Sequence, residues 1–142
     1  MIIAIIVIIA IIIAIVVFAT RKTTNNNEEQ TPTETYKTED DGTKYNTSTK
    51  LQETKTFEGY EISNIGLKEK DGEVDFSAKI KNTTQNSIGK ESIYIIFKKQ
   101  SGEELYKMEA YISEIKPGKS ININSKITKA VVDAYDIEIK KK

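Results

Sequence analysis

Apolar and polar positions divide this chain into three stretches. Residues 2–19 are an unbroken run of Ile, Val, Ala and Phe that ends at Thr20, Arg21 and Lys22. As a helix rising ~1.5 Å per residue, this run spans ~27 Å, enough to cross a hydrocarbon core. Residues 20–56 consist mainly of Thr, Asn, Glu, Gln, Lys and Asp, with Leu51 as the only aliphatic side chain and Tyr36 and Tyr45 as the only aromatic ones. Such a stretch buries too little apolar surface to offset its ordering entropy, so a disordered tether is expected, with an r.m.s. span of roughly 35 Å. From residue 57 onward the pattern changes to period two.

Val74, Phe76, Ala78 and Ile80 alternate with Asp75, Ser77, Lys79 and Lys81, the signature of a half-buried antiparallel strand. Asp71-Gly72 before it suits a type I′ hairpin, whose central residues both need positive φ. Pairing Lys70 with Glu73 sets Leu67 opposite Phe76 but turns Ile62 and Tyr60 away from the core. One extra residue near Asn64 to Gly66, a β-bulge, restores them. A second hairpin is expected at Ser101-Gly102, with Phe97 facing Tyr106, Ile95 facing Met108 and Ile93 facing Ala110 on one apolar face. The other face is mixed, with Lys98 opposite Leu105, Ile96 opposite Lys107, Tyr94 opposite Glu109 and Ser92 opposite Tyr111. Pro117-Gly118 marks a turn, and Ile121, Ile123 and Ile127, then Tyr135, Ile137 and Ile139, mark two further strands. With no helical period in this stretch, about six or seven short strands predict an all-β sandwich over residues 57–142.

Composition narrows the chemistry. The chain has no Cys and no His, which removes disulfides, thiolate metal sites, the usual general base and the usual transition-metal ligand. Basic and acidic residues balance at 21 each and are interleaved, so no basic stripe suits a phosphate backbone and no nucleic-acid partner is expected. No cofactor or metal is expected. The run Glu39-Asp40-Asp41-Gly42 lacks the alternating oxygen ligands of a calcium loop. Asp71, Glu73 and Asp75 read as solvated turn acids, and Lys68 with Asp75 as a surface ion pair across the first hairpin. Asn46-Thr47-Ser48 and Asn82-Thr83-Thr84 match the glycosylation sequon, which has meaning only in a secretory eukaryotic setting. The Ile, Lys and Asn bias points instead to an AT-rich bacterial genome.

Residues 1–19 are taken as a retained transmembrane anchor, a cleaved signal peptide being the alternative that Val17 and Ala19 leave open. Taken literally, the flanking Arg21 and Lys22 place the following domain in the cytoplasm, unless residues upstream of Met1 restore a basic flank. The strand at Val74 to Lys81, the polar loop at Asn82 to Ser87, Ile95-x-Phe97 leading into the Gly102 turn, Ile115-x-Pro117-Gly118-Lys119 and the closing Ala134-Tyr135-Asp136 together resemble the FxLYD domain. Ile95 and Phe97 stand where that family has its Phe and Leu, while Lys98 and Lys99 replace its Tyr and Asp. The resemblance covers roughly residues 60–140. It implies an immunoglobulin-like sandwich, a bacterial envelope setting behind a single transmembrane segment, an extracytoplasmic address and no catalytic residues.

The expectation is therefore a non-catalytic, membrane-tethered binding or scaffolding module with a protein or cell-wall glycan partner. Tyr94, Ile96 and Tyr111, on the mixed face, form the candidate partner-binding patch, because aromatic side chains on an exposed sheet face are natural contact platforms. Two alternatives remain. One is an accessory domain that packs into a larger membrane complex through an open sheet edge. The other is a small carboxylate-based glycan hydrolase, which needs two acids converging in a cleft.

Overall fold

A computed structural model describes residues 35–142. The expected anchor, and the tether up to residue 34, lie outside the described residues. The elements run β1 (Tyr36–Thr38), β2 (Lys44–Asn46), α1 (Thr49–Gln52), β3 (Lys55–Phe57), β4 (Tyr60–Lys70), β5 (Glu73–Asn82), β6 (Glu91–Lys98), β7 (Glu104–Ile112), β8 (Ser120–Ile127) and β9 (Asp136–Lys141). They form two antiparallel sheets, one ordered β1-β2-β4-β5-β8 with β3 also on β4, the other ordered β7-β6-β9. The inward faces share one core, in which Phe76 of the larger sheet meets Phe97 of the smaller edge to face at 5.5 Å between ring centroids. The described residues thus form an all-β sandwich. This core of described residues belongs to the compact unit Glu34–Lys142.

The first hairpin follows the expected register. Asp71 and Gly72 take φ of 53° and 80°, Lys70 pairs with Glu73, and Leu67 pairs with Phe76. The register shifts between Ser63 and Gly66, where Asn64 adopts φ 51°, so Ile62 returns opposite Ile80 and Tyr60 opposite Asn82. Both side chains are buried. Keeping alternate residues on the core face outweighs the left-handed backbone that the bulge imposes on Asn64.

The second hairpin reaches its expected apolar register by a different path. Lys99 donates its N–H to Glu103 and accepts from Gly102, so the loop is Gln100, Ser101 and Gly102 rather than the two-residue Ser101-Gly102 turn. Gly102 sits at φ 85°, as a three-residue hairpin requires. That longer loop would slip the register by one. A shift between Phe97 and Lys98 absorbs the slip, so Lys98 faces Glu104 rather than Leu105, while Phe97 with Tyr106 and Ile95 with Met108 pair as expected.

The largest correction concerns the tether. Residues 35–56 are folded, and the domain starts well before residue 57. Leu51 is fully buried in the core, carried on α1, whose first turn is capped by the Ser48 hydroxyl accepting from the Leu51 N–H at 3.3 Å. The segment is also held by hydrogen bonds to the backbone between β8 and β9. Asn46 Nδ2 donates to the carbonyls of Val132 and Ala134, each at 2.7 Å, while Ser48 Oγ donates to that of Tyr135 and Thr35 Oγ1 to that of Asp133. Few apolar residues suffice because polar side chains from one segment satisfy the carbonyls of the other.

Both sequon asparagines are internal. Asn46 spends its amide hydrogens on Val132 and Ala134, and Asn82, 0% exposed, spends its own on the carbonyls of Asn86 and Ile115. Asn82 Oδ1 accepts from the Thr84 N–H and hydroxyl, both at 2.8 Å, so this residue ties the loop after β5 to the turn before β8. Neither amide is free for modification.

Candidate functional site

The patch expected from the sequence does not assemble as an apolar surface. Tyr94, Ile96 and Tyr111 do lie on the outer face of the smaller sheet, in the expected register with Glu109, Lys107 and Ser92. Ile96, however, is only 4% exposed, set between Lys107 of β7 and Glu138 of β9. Lys107 also carries its ammonium 4.8 Å from the Tyr94 ring centroid. Glu138 is paired with Lys98 and, at 3.1 Å, with Lys140, and its carboxyl is held below the ordinary glutamate range first by Lys98. This face is an ion-paired lattice. Only Tyr111, 63% exposed, stands clear of it.

A better-formed site lies on the outer face of the larger sheet. Strand register sets two rows of outward side chains side by side. One runs Tyr45, Lys68, Asp75 and Lys126 across β2, β4, β5 and β8, and the other runs Gly66, Ser77 and Asn124 across the last three of those strands. Between the rows the backbone forms the floor of a trough of about 710 Å³. Crossing three strand spacings, the trough is ~14 Å long.

Each side of the trough has a local cause. Gly66 follows the bulge and keeps its wall low, since a Cβ there would meet Ser77 Oγ at 3.1 Å. Tyr45, 41% exposed, is placed on the outer face because Asn46, the next residue, points inward to bind the Val132 and Ala134 carbonyls. Lys68 approaches the Tyr45 ring to 5.7 Å from its centroid and so does not make the ion pair with Asp75 that their facing positions suggested. Asp75 pairs instead with Lys126 at 3.4 Å, and Lys126 also pairs with Glu73. Those bonds raise the Lys126 pKa, Glu73 contributing most, and hold its ammonium at the end of the trough between two carboxylates.

The trough thus offers an aromatic ring, two ammonium groups, a hydroxyl, a carboxamide and one carboxylate. Among the described residues Asp75 is the only acid that lines it. Among the described residues no group of three or more acids is placed to hold a metal ion. Asp41, in the run weighed as a calcium loop, instead closes a turn: one carboxylate oxygen accepts from the Thr43 N–H at 3.0 Å and the other pairs with Lys70 at 2.9 Å. Its pKa is held far below the usual carboxylate range, first by Lys70.

Sequence reasoning missed this site because Tyr45 sits in the stretch assigned to the tether and Gly66 was read only as part of a bulge. The available signal was the pairing itself: once Lys68 faces Asp75, Gly66 must face Ser77.

Fold and site together define an antiparallel β-sandwich with a polar, aromatic-walled trough on its larger sheet. No family model, curated protein or solved structure matches the chain. Among the described residues no helix is long and apolar enough to cross a membrane.

Proposed function

We propose that this chain is a non-catalytic, membrane-tethered binding module of the bacterial cell envelope, which takes a cell-wall glycan in the trough of its larger sheet. The observation that carries the reading is Tyr45, an exposed ring at one end of a row of hydrogen-bonding side chains on a rigid sheet. A sugar needs an apolar face to stack on and polar groups at its rim, and Tyr45 with Ser77, Asn124 and Lys126 offers both. A single carboxylate, already paired with Lys126, is a poor basis for the two-acid chemistry of glycoside hydrolysis.

The immunoglobulin-like assignment is supported by the strand pairing. β5 pairs with β8 in one sheet while β6 pairs with β9 in the other, the arrangement that strands B with E and C with F have in immunoglobulin sandwiches. That agreement also favours the resemblance to FxLYD domains and its extracytoplasmic address. Residues 2–19 supply the membrane anchor in this reading.

The test is co-sedimentation of residues 34–142 with purified cell-wall sacculi. Wild-type protein should pellet with the wall, Tyr45→Ala should lose most of that binding, and Tyr111→Ser should keep it. Wild-type protein that stays in the supernatant rules out the glycan, and pelleting unaffected by Tyr45→Ala moves the site off the trough. Sidedness is tested by external protease on intact cells, with protoplasts as a control for wall shielding. A domain that resists digestion in protoplasts until lysis places it in the cytoplasm.

A further inference from the structure

We infer that the free edge of β8 is a self-association site, through which two copies of the chain pair antiparallel about a two-fold axis at Ile123. Sheet edges in this molecule are protected unequally. β1 is only three residues long. β9 carries Glu138, Lys140 and Lys141, and β7 carries Glu104, Lys107 and Glu109. By contrast, β8 pairs with β5 in unbroken register from Ser120 to Ile127, holds no proline or bulge, and carries one charge, Lys126 near its end, which is paired with Glu73 and Asp75 of β5. Among the described residues no strand lies on its other side. Native edges of this length usually carry a bulge, a proline or several charges unless the edge is used.

The groups that face outward follow from the ladder. The Asn82 N–H donates to the Lys119 carbonyl at 2.9 Å, which fixes the alternation of the β5–β8 bonds. Ile121, Ile123 and Ser125 therefore bond to β5, while Ser120, Asn122, Asn124 and Lys126 turn their N–H and C=O groups to the open edge. A second β8 meets these groups only when outward residues face outward residues. Centring the pair on Ile123 engages all of them, Asn122 facing Asn124 and Ser120 facing Lys126 on both sides of the axis. No like charges meet: Lys126 lies opposite Ser120, and Lys119 opposite Ile127. The facing asparagines add side-chain hydrogen bonds on the outer surface, and Ile123 meets its own copy on the core side, over the groove of about 550 Å³ that β8 shares with β7.

The occupant is a second copy rather than an unrelated strand because the edge is complementary to itself in this register. A two-fold contact also consumes both edges and closes, so the product is a dimer and not a fibre. One strand pair buries less than roughly 1,200 Å² and belongs to the weak class, so association is expected at protein concentrations on the order of 1 mM. Pairing would join the two larger sheets into one continuous outer face, with the two troughs offset from each other by about four residues, ~14 Å along the strands. The inference stands whatever the trough binds.

Because the chain has no cysteine, introduced thiols report the register directly. In the dimer, Asn122 and Asn124 of opposite copies have Cα atoms ~5.5 Å apart, within disulfide reach, whereas Asn122 lies ~8 Å from its own copy, beyond it. A mixture of Asn122→Cys and Asn124→Cys forms of residues 34–142 should therefore oxidise to the mixed dimer in clear excess over both homodimers. A statistical mixture, or no cross-link, overturns the proposal. Sedimentation velocity gives a second reading. Asn122→Pro removes an N–H that points away from β5 and is tolerated on an edge, so it should weaken association at least tenfold while leaving the melting temperature close to wild type. Association unchanged in that variant, or wild-type protein that stays monomeric at 1 mM, refutes the edge.

Discussion

Leu51→Ala tests whether residues 35–57 belong to the folded domain. Leu51 is the one aliphatic side chain of its segment and is fully buried. Truncating it deletes buried methyl and methylene groups and leaves a void lined by the surrounding core. Buried Leu→Ala changes cost about 2–5 kcal/mol, the spread reflecting how far the site relaxes. Relaxation is restricted here because α1 is held on both sides, by the Asn46 and Ser48 bonds before it and by β3 pairing with β4 after it. A middle value of about 3 kcal/mol is expected. With a urea m-value of about 1.5 kcal/mol/M, the midpoint should fall by ~2 M, and the melting temperature by about 12 °C or more. The assay is urea unfolding of residues 34–142 followed by far-ultraviolet circular dichroism, with equal m-values required in both proteins. A loss below ~0.5 kcal/mol would mean that this segment contributes nothing to the core and is the tether its composition suggests.

Three further expectations follow from the backbone and the charges. Gly89 has φ 113° and a Cβ there would lie 2.3 Å from the Ser113 carbonyl oxygen, so Gly89→Ala should cost upward of about 2 kcal/mol in denaturant unfolding. Glu58 occupies the first position of the Glu58-Gly59 turn at φ 44°, so Glu58→Asn should relieve backbone strain and stabilise the domain by about 0.5–1 kcal/mol; a lower melting temperature would contradict that account. Glu53, Glu109, Glu114 and Glu138 are held below the ordinary glutamate pKa of 4.5, each first by a hydrogen bond from a lysine: Lys50, Lys142, Lys90 and Lys98. Their contribution is present above pH 4.5 and is lost as pH falls through the lowered folded values, so melting temperature should decline in that range. These pairs are exposed, so the decline should shrink in 1 M salt; an acid profile insensitive to salt would assign the loss to other groups.

Much of the sandwich was legible because long strands repeat their message. The alternation from Val74 to Ile80 fixes one face, and Asp71-Gly72 fixes the register, so the bulge at Asn64 could be deduced from the need to return Ile62 and Tyr60 to the core. The second hairpin shows the limit of that logic. Ser101-Gly102 names the turn region, but only the bonds of Lys99 to Gly102 and Glu103 distinguish a three-residue loop with a compensating shift from a two-residue one. Short strands carry too few alternations to register at all. β1, β2 and β3 are three residues each, and what holds them is remote: the carbonyls of residues 132–135, whose partners Asn46 and Ser48 look like turn or sequon residues when read locally. Burial of Ile96 was illegible for the opposite reason. Period two placed it correctly on the outer face, but neighbours on two other strands decide its exposure.

The two flanks of the sandwich are finished differently, and that difference bears on function. On one flank, residues 35–57 bridge the sheets: Lys55 pairs with Asp136 at 2.6 Å, and Asn46 and Ser48 bond to the backbone that leads into β9. The opposite flank, β7 and β8, has no such bridge among the described residues. A module that only needed stability would gain from closing both, since an open edge carries an aggregation risk. β7 answers that risk with alternating charge, whereas β8 turns Ser120, Asn122 and Asn124 outward with a single lysine, Lys126. The same strand supplies Asn124 and Lys126 to the trough, so pairing at β8 would enlarge the binding face rather than cover it. An anchored chain confined near a surface would experience a raised local concentration of its own kind, the condition under which a weak edge contact becomes populated. In the proposed reading, confinement by an anchor would promote pairing, and pairing would present two offset troughs on one continuous sheet face.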